Sequence, residues 1–93
     1  MTWIIKQSSS FKRVVKKLPK SYKIILDEEI KKLLQNPYLG ERKKGDLDFL
    51  HVHKFKCFHQ EYLLGYSFEE SVLILTLLKL GVHENFYRDL KKL

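Results

Sequence analysis

The chain has 93 residues, 44% hydrophobic and 31% charged, with 18 Lys+Arg against 11 Asp+Glu for a net charge of +7. That length suits one domain, 1–93, with a single core, and no stretch reaches the roughly 20 apolar residues of a membrane span. One cysteine, Cys57, excludes an internal disulfide and a thiolate zinc cage.

The first apolar run, Trp3-Ile4-Ile5, stops at Lys6. It is too short for a secretory signal, and the single cysteine makes a cytoplasmic protein the expected reading. The surplus of positive charge favours a polyanionic partner, RNA or DNA, or an acidic protein that masks it; the alternative is a basic but inert surface.

In chain order, residues 2–7 read as a short strand rich in aromatic and β-branched side chains. Ser8, Ser9 and Ser10 then offer helix N-caps, because a serine hydroxyl accepts from the free amides of a first turn. Phe11, Val14, Val15 and Leu18 recur at helical spacing, with Lys12, Arg13, Lys16 and Lys17 on the other face. Pro19 ends that helix and can open the next. From about 20 to 35, Tyr22, Ile25, Leu26, Ile30, Leu33 and Leu34 form one apolar stripe, stopped by Asn36-Pro37.

A polar, basic loop follows over 38–48, and the period then changes. Residues 49–58, 61–68 and 71–79 read as three strands of a meander with hairpin-length connections. Residues 83–93 suit a short closing helix. The order β-α-α-β-β-β-α implies an α+β fold: a small antiparallel sheet with an N-terminal helical hairpin packed on one face. The opposite face is left open.

The candidate chemistry lies on two segments. In His51-Val52-His53-Lys54-Phe55-Lys56, alternation puts His51, His53 and Phe55 on one side and Val52, Lys54 and Lys56 on the other. If Phe55 faces the core, Lys54 and Lys56 stand on the open face about 7 Å apart, spaced to hold a phosphate; otherwise they are a solvated strand face. His51 and His53 lack a carboxylate at ligand spacing, so no metal is implied. At the C-terminal end, His83 and Tyr87 are four residues apart and share a face if a helix begins there. Histidine is suited to proton transfer near neutral pH, and tyrosine to stacking on a base. Arg88 either grips a phosphate or pairs with Glu84. Phe86 reads as core, and His59 and Cys57 as structural.

Three stretches carry a resemblance: Val52 to Lys56, Tyr62-Leu63-Leu64-Gly65-Tyr66-Ser67-Phe68, and Gly81-Val82-His83 through Lys91. With the length, element order and charge, they resemble the RelE/ParE superfamily of bacterial toxin–antitoxin toxins over essentially the whole chain. The resemblance implies a RelE-like toxin, countered by a cognate antitoxin, that cuts mRNA in the ribosomal A site without metal or cofactor. By position, His83 matches the C-terminal catalytic His or Arg, and Lys54 and Lys56 match the paired basic residues of the second strand. A one-residue shift would put His51 and His53 there instead. Tyr87 matches an aromatic that packs on the nucleotide. RelE carries an arginine near the position of Tyr62; Arg88, or a basic residue of Arg42-Lys43-Lys44, would have to replace it. The resemblance also admits a ParE-like gyrase inhibitor without nuclease activity, or an inactive relative acting as a partner-binding module.

Overall fold

A computed structural model of the chain describes residues 2–83 together with Phe86 and Tyr87. Strand β1 (Ile4–Gln7) leads into helices α1 (Ser9–Lys16) and α2 (Lys20–Gln35), followed by a two-residue strand β2 (Glu41–Arg42) and strands β3 (His51–Cys57), β4 (Gln60–Glu69) and β5 (Ile74–Val82). The five strands form one sheet in the order β1-β5-β4-β3-β2. Three pairings are antiparallel, and β1 lies parallel to β5. A parallel pair needs a long crossover, and here the helical hairpin begins it.

Ser8 fixes the start of that crossover. Its hydroxyl accepts from the Phe11 amide at 3.0 Å and donates to the Leu78 carbonyl at 2.5 Å, while its own amide reaches Leu77 at 2.9 Å. One residue therefore caps α1 and ties it to β5. Pro19 precedes α2, and Asn36 closes it, its side-chain oxygen then accepting from the Tyr38 amide at 3.2 Å.

The two faces of the sheet bury different things. On the helical side, Phe55 and Cys57 of β3, Leu64 and Tyr66 of β4, and Leu75, Leu77 and Leu80 of β5 pack with Phe11, Leu26 and Leu33. On the opposite side a smaller cluster of Leu50, Val52, Leu63 and Phe86 closes over the strand centre. Gly65 makes room for it, since a Cβ there would stand 3.0 Å from the Phe86 ring. The β4–β5 register slips by one residue at Gly65/Tyr66. That irregularity lets Leu77 and Leu80 both face the helices while Leu78 packs on the other side.

The expected α+β architecture is present, with two refinements. The loop expected over 38–48 contains β2, whose Glu41 and Arg42 pair with Val52 and His51. The last strand begins later than the apolar run suggests, at Ile74 rather than 71, because Leu73 turns the chain with φ 53°. Of the closing helix expected over 83–93, His83, Phe86 and Tyr87 are helical. Its other residues, Arg88 among them, lie outside the described residues.

Candidate functional site

Strand alternation decides what faces the open side. Because Phe55 and Cys57 enter the helical core, Val52, Lys54 and Lys56 project from the opposite face. Just after β2, Lys43 donates its amide to the Leu50 carbonyl at 2.9 Å, which aligns it beside β3. His83 follows β5 directly, and Phe86, buried on the sheet, anchors the turn that carries Tyr87.

These elements enclose a cleft of about 440 Å³ lined by Leu39, Glu41, Lys43, Val52, His53, Lys54, Leu63, His83 and Tyr87. The His83 and Tyr87 rings meet edge to face, with centroids 6.5 Å apart. The Lys43 ammonium sits 5.1 Å from the centre of the Tyr87 ring and 3.3 Å from a Glu41 carboxylate oxygen. Tyr87 first and Glu41 second hold Lys43 above the ordinary lysine value, against the opposing effect of burial. Lys43 is thus a firmly cationic group on the cleft wall. The Lys54 ammonium lies 3.9 Å from Glu61, a long pairing between two side chains still open to solvent. Such an ammonium remains available to an incoming phosphate.

The other expected residues are distributed differently. His53 touches the cleft rim, but its imidazole is turned to the helical side, 2.8 Å from a Glu29 carboxylate oxygen of α2. Burial works against the Glu29 charge, but its contacts with Lys32 and His53 prevail and hold the carboxyl below the usual glutamate value. His51 also faces the helical side, its ring tilted against those of Tyr66 and Phe68, and its buried Nδ1 has no partner among the described residues. Burial, then the Arg42 charge, lowers its pKa. His51 and Arg42 line a separate depression of about 570 Å³ with Tyr38, Asp48, Phe49 and Phe68. Lys56 is exposed on the same face as Lys54, and Lys44 is exposed in the loop before Gly45.

The structure therefore gathers His83, Tyr87, Lys54 and Lys43, and separates them from His51, the His53 ring and Arg42. Glu61 escaped the sequence reading, and His59, read there as structural, also borders the site. A hollow of about 310 Å³ beside the cleft is lined by His59, Gln60, Glu61, Val82 and His83, so His83 borders both the cleft and the recess that holds His59 and Glu61. Only the hairpin register, which sets Cys57 against Gln60 and Lys56 against Glu61, brings that carboxylate there. Among the described residues, no three of His, Cys, Asp and Glu gather where a metal ion could be held. The cleft can move a proton, offer cations to a phosphate, and present an aromatic face to a base.

No curated protein matches the chain. Solved structures share its fold at low identity. The isolated RelE toxin of Escherichia coli is 15% identical with a TM-score of 0.68, over 98% of both chains. A chain of the RelBE2 toxin–antitoxin complex of Mycobacterium tuberculosis is 16% identical with a TM-score of 0.68, over 89% of this chain and 100% of that one. The Helicobacter pylori protein HP0892 is 22% identical with a TM-score of 0.55, over 91% and 99%. The family defined as the ParE-like toxin of type II bacterial toxin–antitoxin systems matches residues 5–91. With nearly its whole length matched, and its fold that of RelE, this chain belongs to the RelE/ParE superfamily as a toxin of a type II toxin–antitoxin system.

Proposed function

We propose that this toxin inhibits translation by cutting mRNA on the ribosome, as a cytoplasmic endoribonuclease that needs no metal. The observation that supports this most is the gathering of His83, Tyr87, Lys54 and Lys43 in one open cleft. The reaction fits those groups. The 2′-hydroxyl oxygen of one nucleotide bonds to the adjacent phosphorus, and the bond from phosphorus to the 5′-oxygen breaks. A cyclic 2′,3′-phosphate and a free 5′-hydroxyl result, and no water is consumed. One group must take the 2′-hydroxyl proton and another must protonate the leaving oxygen. Glu61 is the base in this reading and His83 the acid, since they line the same hollow. Lys54 and Lys43 stabilise the charge that grows on the phosphoryl oxygens. Tyr87 stacks on a base and sets the register of the strand.

The ribosome supplies the mRNA and holds it open for attack. A cognate antitoxin is the second partner, binding the toxin in a hetero-oligomer; the fold is shared with a toxin from such a complex. An acidic segment would complement a chain of net charge +7.

The ParE-like character of the matching family favours a second reading, inhibition of gyrase without catalysis. A translation extract with mapped mRNA cut sites, run beside a gyrase supercoiling assay, separates the two. Discrete cuts with unimpaired supercoiling are expected. Intact mRNA with blocked supercoiling would overturn the proposal.

A further inference from the structure

The positive charge of this chain is not spread evenly. Residues 1–26 contain seven Lys or Arg and no acid, which leaves eleven basic against eleven acidic residues in 27–93. The whole net charge of +7 therefore belongs to β1, α1 and the start of α2.

The fold concentrates that charge further. Phe11, Val14, Val15 and Leu18 turn inward against the sheet. Lys12, Arg13, Lys16, Lys17 and Lys20 are left exposed on the outer surface of α1 and its junction with α2. Lys12 and Lys16 stand four residues apart on α1 and repel each other in the free protein. Among the described residues none of the five forms an ion pair. The surface also lacks apolar anchors, since no exposed large hydrophobic side chain lies between residues 6 and 23.

We infer that this α1 surface is a docking site for the phosphate backbone of a folded RNA, separate from the catalytic cleft. The inference rests on the reading that the toxin acts on RNA. Protein interfaces draw their strength from buried aromatic and aliphatic anchors and are depleted in lysine. A phosphate lattice needs no such anchor and binds to exposed cations through counterion release. The helices cover the sheet face opposite Lys54, so RNA held on α1 leaves the cleft free for a single strand. Double-helical RNA fits the α1 surface, because it is recognised chiefly through its backbone and shape.

The test uses a variant in which Lys12, Arg13, Lys16 and Lys17 are all replaced by glutamine, with folding checked by circular dichroism. Binding to a 5′-labelled RNA hairpin is measured by anisotropy across a salt series. Four lost contacts should make the slope of log affinity against log salt shallower by about 3 and weaken low-salt binding by roughly 100-fold. A companion variant with arginine at Lys12, Lys16 and Lys17 should bind the hairpin like the wild type. Equal slopes for the glutamine variant and the wild type would overturn the inference, whatever the fate of the cleft. So would a glutamine variant that keeps the hairpin but no longer co-purifies with its antitoxin, since the surface would then serve an acidic protein. A wild-type toxin that binds the hairpin through α1 yet cuts no mRNA would instead remove the nuclease reading and leave this surface standing.

Discussion

The hydroxyl of Tyr66 joins the sheet to the loop before β2: it donates to the Pro37 carbonyl at 2.6 Å and accepts from the Gly40 amide at 2.9 Å. The side chain is wholly buried, and burial pushes its pKa up, so it stays protonated and able to donate. Glu41 and Lys43 follow directly, and both line the cleft. Tyr66→Phe should leave a buried carbonyl and amide short of a partner and cost about 1–3 kcal/mol of stability. Denaturant titration measures that loss, and RNA affinity should fall with it as Lys43 loses its fixed position.

Gly65 is a second hidden determinant of the site. An added methyl would stand 3.0 Å from the Phe86 ring and 3.2 Å from Leu50. Gly65→Ala should displace Phe86, cost about 1–3 kcal/mol through overpacking, and lower activity by moving His83 and Tyr87. Alanine at Gly81, where the nearest contact is 3.9 Å, provides the comparison and should be milder.

Glu29 and His51 make stability depend on pH in the same direction. Glu29 has a lowered folded-state pKa, so its contribution is present above the ordinary value of 4.5 and is lost as the pH falls through the lower folded value. His51 is also lowered, so below its ordinary value of 6.5 the unfolded chain takes up the proton more readily, and stability falls as the pH drops. Thermal melts should therefore show a decline beginning below about pH 6.5 that His51→Phe reduces. A second decline in the acid range should be reduced by Glu29→Gln, at a cost of about 1–3 kcal/mol at neutral pH. Identical profiles for all three proteins would contradict these assignments.

The elements set by periodicity were legible in the sequence. The α2 stripe from Tyr22 to Leu34 and the alternation that separates Lys54 from Phe55 each depend on local spacing, and both are present in the fold. The strand β2 was not legible, because Glu41-Arg42 is too short to show a period and exists only through its pairing with β3. The destination of the His53 ring was equally hidden. Alternation gives its side of the strand, but only the packing of α2 brings Glu29 within 2.8 Å. For the same reason Glu61 and Lys43 gained their places from register and loop anchoring, which sequence spacing does not reveal.

Lys54 reaches the cleft from β3 and Lys43 from the segment just after β2, so removing them tests whether it binds a phosphate chain at all. Each change to alanine should flatten the salt dependence of single-stranded RNA binding by about 0.7 in slope. Lys44→Ala, in the exposed loop outside the cleft, serves as the control and should leave the slope less affected. A slope that responds to Lys44 but not to Lys43 or Lys54 would place the strand elsewhere.

In the proposed reaction His83 moves a proton during mRNA cleavage. The most direct test is the single-turnover cleavage rate of wild-type toxin and His83→Ala on mRNA held by purified ribosomes. The side chain is exposed, so the variant should fold and bind ribosomes normally. Loss of one acid or base should slow cleavage by about 100- to 10,000-fold. A folded His83→Ala protein that cuts at the wild-type rate and sites would contradict a proton-transfer role for His83.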